Sequence, residues 1–472
     1  MSTPSPRLYF DGATHGAPLA DEVINPATGA VIAAAPRATP DQVNAAVEAA
    51  HRARVAWAAD EKLRKATLAT AADALEQRVA DVARLITLEQ GRPLKFALGE
   101  VGGAVATLRH YSTLSATPAD LTLRDDEQRL VRIERHPYGV VAAITPWNVP
   151  IILLVLKLAP ALLAGNTVVA KPSEFTPLST LLLGEIIGPA FPTGVLNIIA
   201  GPGATGQQLV EHPLVRKITF TGSVATGRRI YSGAAADFKR LTLELGGNDP
   251  ALVLDDADLP AIAEKIFWGA FWNTGQICFA IKRLYVPDKS HDRLIELLAA
   301  RARRTVVGDG LDERTELGPL TTAPQFERVR QLVEDAKRHG AVIHAGGEPL
   351  PGPGHFYPPT IVSGVGRGVA LVDEEQFGPV LPVVPYADLN DAIGQINDNP
   401  YGLGASVWTA NPGRGHEIVR RIDAGLGWVN DHLDIHPGAP KGGHRWSGLG
   451  YESGAQGLDD FSQLQTVNVA RR

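Results

Sequence analysis

Between residues 140 and 221 the chain repeatedly alternates a short β-branched run with a Leu- and Ala-rich stretch of helical length. The runs are Val140–Thr145, Thr167–Lys171, Val195–Ala200 and Lys217–Thr221. Strands taking turns with helices at this spacing build βαβ units, and hence a mostly parallel sheet covered by helices. A second series starts at Ala251, with strand candidates Arg283–Val286, Val380–Tyr386 and Gly404–Trp408. Helices are expected among them near Asp288–Thr305, Ala323–His339 and Asp388–Asn397. Two α/β units suit 472 residues, since domains hold about 100–200 residues each.

The flanks read differently. From Pro40 to Glu89, Val43, Val47, Leu63, Leu68, Leu75 and Val79 recur at helix-like intervals. Between Thr117 and Pro137 alternating residues surround an acidic turn at Asp125–Asp126, as in a two-stranded ribbon. The tail after Ser453 ends in an alternating Gln465–Val469 stretch, a terminal strand in need of an edge. Ribbon and tail are candidates for an arm that meets a partner subunit.

Composition narrows the function. Hydrophobic residues make up 44% and charged residues 20% of the chain, an ordinary globular balance. With 45 Lys plus Arg against 51 Asp plus Glu, the net charge of −6 offers no general attraction to nucleic acid or anionic lipid. The most apolar run, Val149 to Gly165, is interrupted by Pro150, Lys157 and Pro160 and reads as a buried helix, not a membrane span. The N-terminal MSTPSPRLYFDG lacks a charged segment followed by an apolar stretch, so a cytoplasmic protein is expected. The single cysteine, Cys278, excludes an intrachain disulfide framework and a multi-cysteine metal site, and no metal is expected.

Several motifs can carry chemistry. Gly201, Gly203 and Gly206 in GPGATG match a dinucleotide fingerprint, yet no acid occurs between Lys217 and Tyr231, where that fingerprint expects a ribose-binding carboxylate. A plain strand-to-helix turn accounts for the glycines better. In Phe220-Thr221-Gly222-Ser223 a strand ends in a small hydroxylated turn before a helix, whose N-terminus suits a phosphate or merely a capping serine. Cys278 in NTGQICFA is either a buried small hydrophobe or a nucleophile. Its company is Asn148 in ITPWNVP, Lys171 and Glu174 in KPSE, Glu244 in LELGGNDP, and Glu375 with Phe377 in EEQFGPVLP.

In this order and over nearly the whole chain, these blocks resemble the NAD(P)-dependent aldehyde dehydrogenase superfamily. The resemblance implies a Rossmann-type cofactor domain, an α/β catalytic domain and a small β oligomerisation element. The corresponding divisions are 1–118 with 138–245, then 246–450, then 119–137 with 451–472. It implies that Cys278 is the nucleophile, Asn148 with the Cys278 N–H the oxyanion donors, and Glu244 the base that activates water. Relatives that pass the acyl group to coenzyme A generally lack that glutamate, so hydrolysis to the acid is expected. For the cofactor it implies Thr145, Trp147, Lys171, Glu174, Gly203, Phe220, Gly222, Ser223, Leu245, Glu375 and Phe377. A carboxylate at Glu174 would accept ribose hydroxyls and repel a 2′-phosphate, favouring NAD over NADP. A small-molecule aldehyde substrate and a homodimer or homotetramer follow from the same resemblance.

Where the family usually shows Pro-Phe-Gly-Gly followed by a lysine, this chain has Pro440-Lys441-Gly442-Gly443-His444-Arg445. Lys441 either favours an aldehyde carrying a carboxylate or extends to the surface. Val149, Ile152 and Leu156 suggest a roomy apolar tunnel, with Trp272, His432 and Trp446 as an aromatic wall. The rival readings are a semialdehyde or coenzyme A-acylating enzyme, a non-catalytic protein on the same fold, and a thiol esterase.

Overall fold

The computed structural model describes residues 6–115 and 121–471. Met1–Ser5 of the N-terminal stretch, residues 116–118, Ala119 and Asp120 at the start of the expected arm, and Arg472 lie outside the described residues.

The first series forms a parallel sheet from β1 (Val140–Ile144), β2 (Thr167–Lys171), β3 (Leu196–Ile198), β4 (Val215–Thr221) and β5 (Arg240–Glu244), in the order β3-β2-β1-β4-β5. All five residues of β1 and of β2 are buried, as expected for strands with helices on both faces. From β1 the chain winds out one way through β2 and β3, then returns and winds the other way through β4 and β5. The crevice between β1 and β4 is therefore the topological switch point, where α/β sheets bind ligands. Register aligns Ile144 with Lys171 and with Phe220, and Thr221 with Glu244, so these carboxyl ends form one edge. Antiparallel strands extend the sheet on both sides, Leu8–Phe10 at β3 and Gly448–Leu449 at β5.

The second series comprises β6 (Asp249–Val253), β7 (Ile281–Pro287), β8 (Val342–Ala345), β9 (Thr360–Ser363), β10 (Val380–Tyr386), β11 (Gly404–Trp408) and β12 (Leu426–Val429). Their order is β8-β9-β10-β7-β6-β11-β12, parallel except where β8 meets β9. The two faces of β6 feed separate cores: Leu252 packs with Val329, Tyr357 and Ile393, whereas Ala251 and Val253 pack with Phe267 and Trp408.

The N-terminal helical region is three helices, Pro40–Ala59, Glu61–Glu76 and Val79–Gln90. Asp60 divides the first two because its carboxylate accepts from Leu63 N at 2.9 Å and caps the second. The ribbon consists of Leu121–Asp125 and Arg129–Pro137, turned at Asp126, whose Oδ1 accepts from the Gln128 and Arg129 amides. The tail strand Ser462–Ala470 pairs along the whole of Arg129–Pro137, from Ser462 opposite Pro137 to Ala470 opposite Arg129. Among the described residues, no helix is long and apolar enough to cross a membrane.

Trp57 joins the first helix to the helix Pro150–Leu163. It is 1% exposed, and its indole N–H donates to Leu162 O at 3.1 Å. Trp57→Ala leaves a large cavity and an unpaired carbonyl, so chemical denaturation should show a loss of about 3–5 kcal/mol.

Candidate active site

Cys278 lies between a helix, Leu259–Phe271, and β7, on a loop that opens with a short 3₁₀ turn, Trp272–Gly275. Asn273, Thr274 and Gly275 follow one another with φ of 52°, 58° and 71°. Two consecutive non-glycine residues in the left-handed region are strained and need outside support. Asn273 Oδ1 accepts from Arg92 Nε at 3.0 Å and Gln90 Nε2 at 3.2 Å. Thr274 Oγ1 donates to Gly318 O, and Gln276 Nε2 donates back to Asn273 O, both at 3.0 Å. On the far side Lys282 Nζ donates to Ile277 O at 2.6 Å and Cys278 O at 3.2 Å.

Asn148 precedes the helix Pro150–Leu163 and reaches the same loop. Its Nδ2 donates to Gln276 O at 2.8 Å, which fixes the amide and leaves its second N–H to act as a donor. Its own carbonyl accepts from Arg92 at 2.7 Å and from Asn273 Nδ2 at 3.1 Å. Arg92 in turn pairs with Glu100 at 2.5 Å, both side chains being sealed from solvent. Glu100 Oε1 accepts from Ile151 N and Ile152 N at the start of the Asn148 helix. One ion pair thus ties Asn148 to the loop that carries the thiol.

Glu244 ends β5 beside this loop. Cys278, Glu244, Leu153, Thr221, Phe279, Leu403, Leu426, Lys441 and Glu452 line one small pocket. The glycines after Glu244 make the approach possible: a Cβ on Gly247 would stand 2.5 Å from Cys278 O, and one on Gly246 would overlap the Glu375 carboxylate. Burial pushes the Cys278 thiol up to about 12, opposed by Lys441 and Lys282. Glu244 is raised well above the usual carboxylate range, first by burial and then by Glu452, against Lys441 and Lys157. Glu452 moves the opposite way: burial would raise it, but Lys157 and Lys441 outweigh burial and hold it low.

The remaining residues named from the sequence lie along the carboxyl edge of the first sheet or beside it. Thr145 follows β1, and Lys171 ends β2 with its Nζ 2.9 Å from Pro172 O and 3.7 Å from Glu174. Gly203 opens a helix, Gly203–Glu211, with open space where a Cβ would stand; Gly206 faces the aliphatic stem of Lys171. Gly222 packs on the Phe220 ring and donates to Glu244 O, while Ser223 caps the helix Val224–Ala234 and accepts from Thr226 N. Leu245 N donates to Ser447 O. Glu375 accepts from Gly247 N at 3.0 Å, and the Phe377 ring meets Trp147 edge-on at 5.4 Å. Thr145 Oγ1, Thr221 Oγ1 and Glu244 Oε1 are buried with no hydrogen-bond partner among the described residues. Orphaned acceptors and donors at a switch point fit a polar ligand such as a dinucleotide.

Two expectations need correction. Lys441 does not run to the surface: its side chain is 10% exposed and pairs with Glu452 at 3.0 Å. Trp446 is exposed at the surface beneath Arg228 and lies outside the apolar cluster beside Cys278. His432 places its Nε2 2.6 Å from Phe279 O, and burial lowers it to about 3, leaving the ring neutral. Val149, Ile152, Leu156 and Trp272 do gather with Leu153, Ile277, Phe279 and Leu433 in one apolar cluster.

Sequence reasoning missed Arg92, Glu100, Lys157 and Glu452. Arg92→Met strands the Glu100 carboxylate in a buried site and frees the loop. Thermal or chemical unfolding should therefore show a loss of about 3–5 kcal/mol.

The aldehyde dehydrogenase family model matches residues 16–467. An aldehyde dehydrogenase of Agaricus bisporus is 35% identical over 95% of this chain and 91% of its own. The NADP(+) succinate-semialdehyde dehydrogenase GabD of Escherichia coli is 37% identical over 95% of this chain and 94% of its own. Among solved structures, an NAD+ complex of an aldehyde dehydrogenase from Bacillus cereus superposes with TM-score 0.97 at 34% identity, covering 99% of this chain and 97% of that one. A betaine aldehyde dehydrogenase from Staphylococcus aureus in complex with NAD+ gives 0.96 at 30% identity, covering 99% and 95%. With a family match spanning nearly its full length, two curated relatives above 30% identity and a shared fold, the chain belongs to the aldehyde dehydrogenase family, whose members are oxidoreductases.

Proposed function

We propose that the protein oxidises an aldehyde to its carboxylic acid with NAD, through a thioester on Cys278 that is hydrolysed with Glu244 as base. The observation that carries this reading is the pocket in which the chain's single thiol shares its walls with a buried carboxylate whose Oε1 has no hydrogen-bond partner among the described residues. When bound, NAD supplies the hydride acceptor.

The steps follow from what each residue offers. Cys278 gives up its thiol proton to solvent, Sγ adds as the thiolate to the aldehyde carbon, and the carbonyl oxygen becomes an alkoxide. The second N–H of Asn148 and the Cys278 N–H, which makes no hydrogen bond among the described residues, stabilise that oxygen without protonating it. Collapse of the alkoxide expels hydride and leaves the acyl group on sulfur. Glu244 then takes a proton from water, water oxygen bonds to the acyl carbon, and the carbon–sulfur bond breaks to release the acid.

For the cofactor, Thr145, Trp147, Gly222 and Ser223 would face the pyrophosphate, Lys171 and Glu174 the adenosine ribose, and Glu375 with Phe377 the nicotinamide riboside. The carboxylate of Glu174 beside Lys171 supports NAD over NADP. The GabD relative uses NADP(+) by name, and a semialdehyde substrate is the second reading it favours. Pairing of the ribbon with the tail strand, which leaves Leu121, Leu123, Leu464 and Val469 exposed, supports a homodimer or homotetramer, and the protein is read as cytoplasmic.

Absorbance of reduced cofactor on mixing the protein with NAD or NADP and neutral or carboxylated aldehydes tests the whole reading. Turnover is expected with NAD; silence throughout, with Cys278 reduced, would refute it. Cys278→Ala should abolish oxidation and retain NAD binding. Glu244→Gln should give a first burst of reduced cofactor followed by deacylation at least about 100-fold slower. Because Glu244 works as its anion and is raised by burial, the deacylation rate should climb with pH through a limb well above the ordinary carboxylate value of about 4.3. Stopped-flow measurement of the steady-state phase checks this.

A further inference from the structure

Beside Cys278, two lysines share the carboxylate Glu452, which by itself cannot match both, and the other carboxylate of the pocket is Glu244. Lys157 and Lys441 both pair with Glu452, Lys157 with Oε1 and Lys441 with Oε2 at 3.0 Å. Two ammonium groups on one carboxylate leave one positive charge over. Lys157 is fully buried, on the helix behind the pocket wall, whereas Lys441 itself lines the pocket with Cys278 and Glu244.

The position of Lys441 is built rather than incidental. Its N–H donates to Glu452 O and its carbonyl accepts from Glu452 N, each at 2.8 Å, so backbone and side chain hold the same partner. Leu153, Phe279, Leu403 and Leu426 supply the apolar remainder of the wall, where a charge is felt far more strongly than in water. Burial alone would lower the Lys441 ammonium, yet Glu452 and Glu244 outweigh burial and raise it, so it stays charged across neutral pH. The charged groups facing Cys278 are Lys441, Lys282, Glu244 and Glu375; those facing Glu244 are Glu452, Lys441 and Lys157.

We propose that Lys441 is the internal counter-charge of Cys278 and Glu244, favouring the thiolate and the ionised base, and is not an anchor for a substrate carboxylate. A carboxylate drawn to Lys441 would have to sit beside Glu452, already 3.0 Å from the ammonium, and near Glu244. Like charges so placed repel. This inference rests on the reading of Cys278 as nucleophile and Glu244 as base, and Lys441 acts through them.

Because Cys278 is the only cysteine, its alkylation by iodoacetamide reports its ionisation without aldehyde, cofactor or turnover. The rate should be followed from about pH 6 to 10 in the full-length protein and in Lys441→Met and Lys441→Arg. In Lys441→Met the profile should move about one pH unit or more to the alkaline side, about tenfold slower at a fixed pH on the rising limb. Lys441→Arg should restore it. Circular dichroism and melting verify folding, and Lys441→Gln replaces the Met variant if that one does not fold. An unmoved profile in a folded variant overturns the proposal, as does a defect confined to the KM of carboxylated aldehydes. If instead Cys278→Ala retained oxidation, the functional reading would fail even where the alkylation shift is seen, so the two failures are distinguishable.

Discussion

The buried pair of Arg92 and Glu100 is the constraint on which the site depends. Left-handed residues such as Asn273 and Thr274 cost about 1–3 kcal/mol each, and such a turn survives only where its surroundings impose it. Arg92 does so by giving one face of its guanidinium to Asn273, another to the Asn148 carbonyl, and the rest to Glu100. Glu100 completes the arrangement by accepting the first free amides of the helix behind Asn148. A buried ion pair adds little net stability compared with an apolar substitute, but it fixes directions that apolar contacts leave loose. Here those directions set where an amide and a thiol stand with respect to each other.

A second layer of order comes from the segment that follows the second sheet. Ser447 accepts from Leu245 just past Glu244, Gly448 pairs with Glu244 itself, and Lys441 and Glu452 bridge each other across the pocket. Glu244 is thereby enclosed by a strand edge on one side and buried charge on the other. Its raised affinity for a proton arises from that enclosure, and the leftover lysine charge limits how far it rises.

The parallel strands were legible because burial on both faces turns each into an unbroken apolar run, as in VVAAI and TVVAK. Their limits shift by a few residues: β3 covers Leu196–Ile198 rather than Val195–Ala200, and β4 starts at Val215. Elements with weak local signals went unread. The strand Val31–Arg37 has three consecutive alanines and a proline, and the helix Leu94–Thr113 contains Gly99, Gly102 and Gly103, each unfavourable to a helix. At the site, Cys278, Asn148 and Glu244 stood out through short motifs. Their supports did not, because Lys157 and Glu452 are 295 residues apart and a single charged residue in a sequence ordinarily denotes surface. GPGATG illustrates an ambiguity that packing leaves open: Gly206 faces the stem of Lys171, but a Cβ there would meet Lys171 Cδ at 3.6 Å, an ordinary contact.

The segment that closes the pocket does not end there. After Lys441 and Glu452 it forms the short helix Gly454–Asp459 and then the strand that runs along Arg129–Pro137. One continuous stretch of chain therefore supplies both the charged wall of the pocket and a strand of the β arm, so that site and arm share a backbone.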